Sequence, residues 1–552
     1  MHRSLQIPEI IRNIFSLSDD DHEGRKALAQ CCLTCRFFYE PAADALWYHL
    51  PDLAPLLKCL PEEFVFETNH PDEDTEEEDR DGEALPPEYS KYKILYLRRI
   101  PEADEHWMRA ERHARRVRIM RSFSPVFKET VNISALQALM SRCRFRQIPD
   151  PPSSPFLPNL RELSWPFFQN EGIAFTSIPL LAGPHLRKFR SYALYRPPEG
   201  PYAAQVSQTL LEFPVNFPLL ESIEMPSAFM GVWSVVGEVF STILQDLHHL
   251  RRVVLPSVDL TQEALQHLSA LPHIEQLDMA GEHMVANFVS PVPSVPFFPS
   301  LRIIKFMEIP DLPACTMFIK SLAHRQLESV EIYGDGRSFM VHTMADYARA
   351  LEPHKTLQKV VLHPNRTHVP DVPPDSPPLD FSFVRPLLSL PVLTTIDVSA
   401  PSGVDLNDND FLQMSMSWPH IERLVIRSIG RSRRTPSATF DSFLHVVHHC
   451  PRLKSFQLHL EPTITSEGMT KATTQTSDSA IEWLTINYRS PIPPHETERL
   501  CKLILDLFPK LRFLRAVASP RMDADMVPTA ESWSSFCTLI KGKIKERTGV
   551  AY

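Results

Sequence analysis

The sequence predicts an α/β fold in which a short helical module precedes a solenoid of about 13 strand–helix units. Two observations predict it: a strand-like phrase recurs through residues 156–520, and the first 60 residues carry helical stripes without that period. The composition agrees, because 552 residues with 43% hydrophobic and 22% charged side chains can bury an extensive core. Since stacked repeats complete one another's cores, we expect a curved horseshoe.

Residues 1–64 form the predicted helical module. Pro8 stands where a helix accepts proline in its first turn, and residues 25–50 supply further short helices that end near Trp47. The apolar stripe of the first helix has five members: Ile7, Ile10, Ile11, Ile14 and Phe15. A module of about 50 residues cannot bury such a stripe by itself, so we expect part of it to serve as a docking surface.

A run of acidic residues follows the module. Residues 72–83 hold nine acidic side chains and one arginine, so most of the net charge of −10 lies there. We expect residues 65–91 to be a solvated, disordered loop, because such a run cannot bury apolar surface. The rest of the chain is then almost neutral and lacks the basic footprint of a phosphate-binding or nucleic-acid-binding protein.

Residues 92–155 are expected to be a helical connection that caps the solenoid. Eight arginines and four acidic residues lie between Arg98 and Arg121, without the aromatic interleaving of a nucleic-acid site. We interpret these arginines as a solvated helix face. Their contact with the acidic run upstream would be weak, because salt screens charges at the surface.

The repeat consists of an apolar anchor with further apolar residues three and five positions later. All thirteen copies have the apolar residue at +3, twelve have one at +5, and proline stands two residues before the anchor in nine. The anchors, which recur about every 29 residues, are Leu160, Leu186, Leu220, Leu250, Ile274, Leu301, Leu327, Leu357, Leu393, Ile421, Leu453, Ile481 and Leu511.

This spacing has a simple structural meaning. The phrase L-x-x-L-x-L puts alternate side chains on one face of a short strand. Helical patterning fills the intervals, and the proline ends each helix because it cannot continue one. The final helical stretch, within residues 521–552, is expected to cap the open end of the solenoid, as terminal repeats require.

Both parts of the chain resemble known modules. The repeat resembles the leucine-rich repeat, with Asn365 as the one asparagine at the position eight after the anchor. The N-terminal residues resemble the F-box, a three-helix module that docks onto the adaptor of Skp–cullin–F-box ubiquitin ligases. The motifs that carry this resemblance are Ile7-Pro8-Glu9-Ile10, Ile14-Phe15, Cys35-Arg36-Phe37-Phe38 and Ala45-Leu46-Trp47.

The order of an F-box followed by leucine-rich repeats is similar to that of fungal F-box proteins. Two positions depart from the usual pattern, Ser18 where a leucine is common and Thr34 where a valine is common. The resemblance implies that eight residues bind or brace the adaptor: Ile7, Pro8, Ile10, Ile11, Ile14, Phe15, Leu46 and Trp47.

A target-binding surface is expected at the polar strand positions, +2 and +4 from each anchor. Early strands give it a basic character and middle strands an acidic one, whereas two late aromatic residues are typical interface anchors unless the C-terminal cap covers them. The candidates are Lys188, Arg190, Arg252, Asp278, Glu331, Asp397, Trp483 and Phe513.

The sequence carries no pattern typical of an enzyme, and we expect neither a catalytic residue nor a cofactor. The 15 glycines do not form a phosphate-binding loop, and no zinc-protease or nucleophile-elbow motif occurs. Cys31, Cys32 and Cys35 lack a second cysteine pair. In the cluster of His445, His448 and His449, only His445 and His449 share a helical face, and this pair lacks a clear third ligand. Cys450, next to that cluster, lies in a slot that other repeats fill with apolar residues, so we expect it to be buried.

Nine scattered cysteines, an odd number, do not indicate a disulfide framework. The N-terminus lacks the apolar region of a secretion signal, and no apolar run is long enough to span a bilayer. We therefore expect an intracellular protein of the cytoplasm or nucleus without a membrane partner.

The resulting hypothesis is a substrate-recognition subunit of a Skp–cullin–F-box ligase, with the adaptor and cullin complex and an unknown target protein as partners. It would act by proximity, since a bound target lysine is brought close to a charged conjugating enzyme. The alternative is a leucine-rich-repeat scaffold without a ligase role, in which the first module only caps the solenoid. A nucleic-acid binder is disfavoured by the near-neutral body.

Overall fold

The computed structural model contains two compact units, Met1–His267 and Leu268–Tyr552. Helices and parallel strands alternate along both units, which gives a mixed α/β fold consistent with a solenoid-like repeat. The described residues are 7–17, 22–69, 93–121, 129–131, 133–145, 155–167, 175–193, 201–225, 233–256, 258, 260–280, 297–309, 311–336, 339–364, 376–429, 436–463, 479–488, 490–518 and 527–548.

The first unit begins with three helices, α1 (Pro8–Ser16), α2 (His22–Thr34) and α3 (Arg36–Leu46). Three more, α4 (Ala54–Leu57), α5 (Asp104–Ala114) and α6 (Ile133–Phe145), precede the repeats. The repeat helices of this unit are Ile178–Leu181, Pro201–Leu211, Phe213–Asn216 and Trp233–Asp246, and the helix Gln262–Ala270 contains the boundary to the second unit.

The strands of the first unit form a parallel sheet and a small mixed sheet. The parallel strands, in spatial order, are β1 (His49–Leu50), β4 (Ile119–Met120), β6 (Glu162–Phe167), β7 (Lys188–Ala193), β8 (Ser222–Glu224) and β9 (Arg252–Leu255). In the mixed sheet, β3 (Lys93–Leu97) is antiparallel to β2 (Val65–Asn69) and parallel to β5 (Glu129–Val131).

Two expectations about the region before residue 156 change. The loop expected over residues 65–91 starts later, because Val65–Asn69 is a strand; residues 70–91 lie outside the described residues. The parallel strands start earlier than residue 156, since β1 and β4 already belong to the parallel sheet. The N–H groups of Arg118 and Ile119 donate to the carbonyl oxygen of Tyr48 at 2.9 and 3.0 Å, which joins the two strands.

The second unit continues the alternation of strands and helices. Its parallel strands are β10 (Gln276–Ala280), β11 (Ile303–Ile309), β12 (Ser329–Gly334), β13 (Lys359–Pro364), β14 (Thr395–Ala400), β15 (Arg423–Ser428), β16 (Ser455–His459), β17 (Trp483–Tyr488) and β18 (Phe513–Ala518), each beside the next. Its helices are Leu312–Ser321, Val341–Leu351, Phe381–Leu387, Asp408–Ser417, Asp441–His449, Thr497–Leu507 and Val527–Thr548, with a 3-10 turn at Pro494–Glu496.

The anchors of the repeat determine where the strands begin. Each strand from β6 to β18 starts two residues after one of the thirteen anchors, and every anchor is at most 1% exposed. The +3 residues are buried to the same degree. Because a fully buried Leu or Ile side chain contributes about 1.5–3 kcal/mol, these two rows of side chains stabilise the core of each unit.

A tight turn precedes most anchors and explains the recurring proline. The N–H of Leu220 donates to the carbonyl oxygen of Phe217 at 3.1 Å, and that of Leu453 donates to Cys450 at 3.2 Å. The proline two residues before the anchor is then the second residue of a four-residue turn. Its fixed φ suits that position, and its missing N–H removes no bond that the turn needs.

A ladder of main-chain hydrogen bonds links the strand starts. The carbonyl oxygen of Glu328, the residue after its anchor, accepts from the N–H groups of Gln358 and Lys359 at 2.8 and 3.1 Å. The same pattern recurs at Arg161, whose carbonyl oxygen accepts from Arg187 and Lys188 at 2.8 and 2.9 Å. Register is therefore set by backbone atoms.

The helix Val527–Thr548 lies in the segment that is expected to cap the solenoid. Its buried side chains are Trp533, Phe536, Cys537, Ile540 and Ile544. The Trp533 ring stacks on Tyr488 of β17 at 4.8 Å, and its Nε1–H donates to the carbonyl oxygen of Ser490 at 2.9 Å. The helix thus covers apolar side chains near the last strands of the second unit.

Candidate functional site

The first helix carries an apolar surface that this chain leaves open. Ile7 is 45% exposed, Ile10 36%, Ile14 45% and Leu17 82%. Isolated exposed apolar residues are common, but several on one short helix mark a contact site. We call Ile7, Ile10, Ile14 and Leu17 the α1 apolar face.

The opposite edge of the same stripe holds α1 in place. Ile11 is 1% exposed, and the Phe15 ring meets Phe38 of α3 edge-on at 6.0 Å. The stripe is wider than the contact with α3, so one edge is buried and the other is open. Ile11 and Phe15 therefore position the helix, and the expectation that Ile11 is open to the adaptor is wrong. Pro8 begins the helix, in its first turn.

The other two predicted adaptor residues lie at the end of α3. Leu46 and Trp47 are half-buried, and one face of the Trp47 ring stacks on His113 of α5 at 4.2 Å. Burial and the nearby Arg116 lower the pKa of His113 to about 4, so this imidazole is neutral near pH 7. Trp47 therefore braces α3 against α5, which leaves only the rest of its surface for a partner.

The basic character predicted for the early strands is neutralised by neighbouring carboxylates. Lys188 Nζ lies 2.7 Å from Glu162, and Glu224 pairs with both Arg190 and Arg252, at 3.5 and 2.9 Å. These three cations stay exposed, but the paired carboxylates offset the basic character predicted for this surface. The strand register places opposite charges side by side. The sequence could not show this, because its positions were considered one strand at a time.

The acidic middle strands show the same alternation. Asp278 pairs with Lys305 at 3.6 Å, and Glu331 with Lys359 at 2.7 Å. Asp278 and Asp397 are only 5% and 6% exposed. The expectation of an open acidic surface is therefore wrong at these two aspartates, because cations of adjacent strands cover them.

Asp397 is the centre of a cluster of charged side chains on this face. Its carboxylate accepts from His363 Nε2 at 2.6 Å and from Arg423 Nη2 at 2.7 Å, with Arg427 at 3.8 Å. Burial alone would raise the pKa of the Asp397 carboxyl, but the hydrogen bonds from His363 and Arg423 outweigh it and hold the pKa below its ordinary value. Asp397 is thus a structural anion.

A cavity of about 330 Å³ opens beside this cluster. Tyr333, His363, Ser399 and Arg427, which line it, lie six residues after their anchors, a position that the sequence reasoning did not consider. The signal was present, because alternation puts +6 on the same face as +2 and +4. The other lining residues are Met307, Glu308, Gly334, Pro364 and Ile429.

Of the two late aromatic residues predicted as interface anchors, Trp483 is exposed and Phe513 is half-buried. Trp483 is 52% exposed, and its ring lies 5.0 Å from Phe513 in the next strand. The alternative in which the C-terminal helix covers Trp483 is therefore wrong. Arg515 stands two residues after Phe513 on the same face and makes no ion pair with any described residue.

The cysteine and histidine clusters contribute to packing. Cys450 is buried, its Sγ lies 3.6 Å from the Ser415 carbonyl oxygen, and burial raises the pKa of its thiol to about 12. Burial also raises the pKa of Cys32, which with Cys31 and Cys35 is half-buried. In the part of the chain that the structure describes, no three His, Cys, Asp or Glu side chains are arranged to hold a metal ion.

Comparisons with known proteins give little. No family model and no curated protein matches the chain. Among solved structures, a chain of the crystal structure of the Rad7 and Elc1 complex in yeast is similar over 67% of this chain and 79% of that chain, with 11% sequence identity and a TM-score of 0.33. At this TM-score the similarity does not establish a shared fold. Among the described helices, none is both long and apolar enough to cross a bilayer.

Proposed function

We propose that this chain is the substrate-recognition subunit of a Skp–cullin–F-box type ubiquitin ligase, with α1 to α3 docking the adaptor and the polar strand face binding a target. The observation that carries the proposal is the α1 apolar face, open on one edge while Ile11 and Phe15 hold the other edge in place. The same residues resemble the F-box, and this resemblance implies that the partner of the α1 apolar face is a Skp-type adaptor.

The energetics favour docking of a preformed helix. Each Ile or Leu side chain that moves from water into an apolar groove contributes about 1.5–3 kcal/mol. Because Ile11 and Phe15 already fix α1, little conformational entropy is lost when a partner covers Ile10 and Ile14. A helix laid into a groove through residues spaced three and four apart is a common recognition mode.

For the target, we propose the aromatic pair Trp483 and Phe513 as the anchor. Tryptophan is enriched among residues that dominate binding energy, and Trp483 is a large apolar strand residue that remains exposed. Arg515 beside it, which pairs with no carboxylate among the described residues, favours a target segment with an acidic side chain next to an apolar one. Bound there, the target would be modified by proximity to the conjugating enzyme, with no catalytic residue in this chain.

The test is capture of a purified Skp-type adaptor by the full chain. Full length is needed because β1 and Trp47 are built into the first unit, so removing the N-terminus would also disturb β4 and α5. In the variant Ile10→Asp with Ile14→Asp we expect affinity to fall by more than about 100-fold. The matched control is Val215→Asp, which changes an apolar residue that is 83% exposed on another short helix.

Three outcomes separate the possibilities. Capture by the unchanged chain and by Val215→Asp, but not by the double variant, supports the ligase role. If the double variant, with unchanged circular dichroism, still captures the adaptor at full affinity, the α1 apolar face is not the docking surface. If the unchanged chain captures no adaptor, the ligase role is wrong.

One observation favours a second candidate, a leucine-rich-repeat scaffold whose first module is a cap. β1 pairs with β4 at the edge of the parallel sheet of the first unit, as a capping element does. In that case, the three helices would only cover the first strands. Absence of adaptor capture by a well-folded chain would leave this scaffold as the better proposal.

A further inference from the structure

Four arginines line an open cavity of about 380 Å³ in the first unit, at the junction of α3, α5 and the strand starts. The other lining groups are two carboxylates and one phenol. The full set is Glu40, Asp44, Tyr48, Arg112, Arg115, Arg116 and Arg118.

Two of these arginines are neutralised locally. Arg116 forms short ion pairs with both Glu40 and Asp44, and Arg112 Nη2 lies 2.6 Å from Glu40 Oε1. The hydrogen bond from Arg116 and its charge hold the pKa of the Glu40 carboxyl below its ordinary value, so this carboxylate remains an anion. Both carboxylates are therefore already committed to cations of the same cluster.

The remaining arginines have no such partner. Within the described ranges, neither Arg115 nor Arg118 forms an ion pair, and Arg161, which starts the neighbouring repeat, forms none either. Arg118 is nevertheless well placed, because its Nη1 donates to the carbonyl oxygens of Arg115 at 2.7 Å and Val117 at 3.2 Å. Its position is fixed by the backbone, and the nearby Asp44, which is already paired with Arg116, offsets its charge only in part.

Electrostatics at this spot favour a bound anion. The four arginines of the cavity face only two carboxylates, so its lining carries an excess of positive charge. Burial lowers the pKa of Arg118 and of His113, and neighbouring arginines, Arg161 for Arg118 and Arg116 for His113, lower each pKa further. The net charge of the chain outside the acidic run is close to zero, and this value conceals the local excess of positive charge. For that reason phosphate binding was not predicted from the sequence.

We propose that Arg115 and Arg118, which line the cavity, form a binding site for a phosphate-type oxyanion together with Arg161, whose N–H donates to the Arg118 carbonyl oxygen at 2.7 Å. Three guanidinium groups that form no ion pair with a described residue match a group that carries about two negative charges and three acceptor oxygens. Arginine suits such a ligand because its planar fork donates two parallel hydrogen bonds. The site does not depend on the proposed ligase function.

The shared chemistry has two sources, a phosphomonoester on a protein side chain or a free polyphosphate. Isothermal titration of the full chain with O-phosphoserine and with inorganic pyrophosphate separates them. Tighter binding of O-phosphoserine identifies the monoester, and tighter binding of pyrophosphate identifies the free anion. Either result supports the site if the arginines are required, and affinity should fall as sodium chloride is added.

The arginine variants decide the question. Arg115→Gln with Arg118→Gln should weaken binding by at least about 100-fold, since each charged hydrogen-bonding group removed is worth about tenfold or more. Arg161→Gln alone changes an exposed side chain and should weaken binding about tenfold without altering the fold. The matched control is Arg187→Gln, the next arginine along the same row, which is paired with Glu221 at 2.8 Å.

Two results would overturn the proposal. One is the absence of measurable heat from both anions at low ionic strength. The other is an Arg187→Gln variant that loses as much affinity as Arg161→Gln, because this would show that binding follows total charge and not the cluster. Circular dichroism on every variant excludes loss of folding as the cause of a lost signal.

Discussion

The same type of residue has opposite surroundings in the repeats and in α1. Ile274, the anchor before β10, is completely buried, whereas Ile10 of α1 is 36% exposed. In the repeats, every apolar row lies against the same row of the next strand, so stacking removes it from water. Among the described elements, α1 packs against α3 through one edge of its stripe. An apolar stripe that stacking does not cover is therefore the feature that separates a binding surface from a core.

The largest difference should appear when one residue of each kind is truncated. Leu393→Ala removes a completely buried anchor and should lower the free energy of unfolding by about 2–5 kcal/mol. Ile10→Ala should change it by no more than about 0.5 kcal/mol, because the side chain already contacts water. Chemical denaturation of the two variants measures both values. Equal losses would show that α1 is packed as tightly as a strand.

The comparison extends to charged side chains. Asp397→Ala leaves His363, Arg423 and Arg427 around an empty position and should lower the free energy of unfolding by about 3 kcal/mol. Glu162→Ala removes a more exposed carboxylate paired with Lys188 and should cost no more than about 1 kcal/mol. Denaturant midpoints of the two variants test the contrast, and a smaller loss for Asp397→Ala than for Glu162→Ala contradicts it.

Acid should affect the two units in different pH ranges. His113 has a folded-state pKa of about 4, below its ordinary 6.5, so the unfolded chain binds the proton first and stability falls as the pH drops from 6.5 towards 4. After allowance for its partial burial, this loss is about 2 kcal/mol. Asp397 has a pKa below its ordinary 3.8, so its stabilisation is present above that pH and is lost as the pH falls through the lower folded value.

The pH dependence can be assigned by substitution. Thermal unfolding in a pH series measures both effects. His113→Gln should flatten the fall in stability between pH 6.5 and 4, whereas Asp397→Asn should change only the fall below about pH 4. Because His113 stacks on Trp47, the tryptophan emission of the folded, unchanged chain should also shift near pH 4, where this imidazole takes up its proton. An unaltered slope in His113→Gln would show that another group titrates there.

Trp483 is expected to contribute little to stability. Its side chain is 52% exposed, so Trp483→Ala should change the free energy of unfolding by less than about 1 kcal/mol. Phe456→Ala, at a +3 position that is 1% exposed, should cost about 3–5 kcal/mol in the same assay. A large loss in Trp483→Ala would make the aromatic pair a structural element instead of a binding surface.

The strand positions could be predicted from the sequence, but the pairing of their charges could not. Anchors such as Leu160 repeat a pattern that depends only on residues close in the chain, and each strand begins where that pattern places it. The partner of Lys188 is Glu162, 26 residues away, and only the register of β6 and β7 brings them together. Early β1 and β4 were missed because such short strands carry no copy of the phrase.

For the α1 apolar face, too, the sequence predicted the apolar positions but not their contacts. The stripe from Ile7 to Phe15 was visible in the sequence, but the sequence could not tell which edge α3 would cover. The width of the contact between α1 and α3 decides that Ile11 is buried and Ile14 is not. The proposed anion site was not predicted for a related reason, since Arg161 comes next to Arg118 only when β6 pairs beside β4.

The main-chain ladder at the strand starts has a consequence for how this protein can change over generations. Its acceptors are carbonyl oxygens of residues as different as Arg161, Glu328 and Thr394, and each accepts two N–H groups in the same way. Side chains at these positions can therefore be substituted while the main-chain hydrogen bonds between the strands are kept. Substitutions there would alter the pattern of surface charge, and so the choice of binding partner, with little change in folding stability.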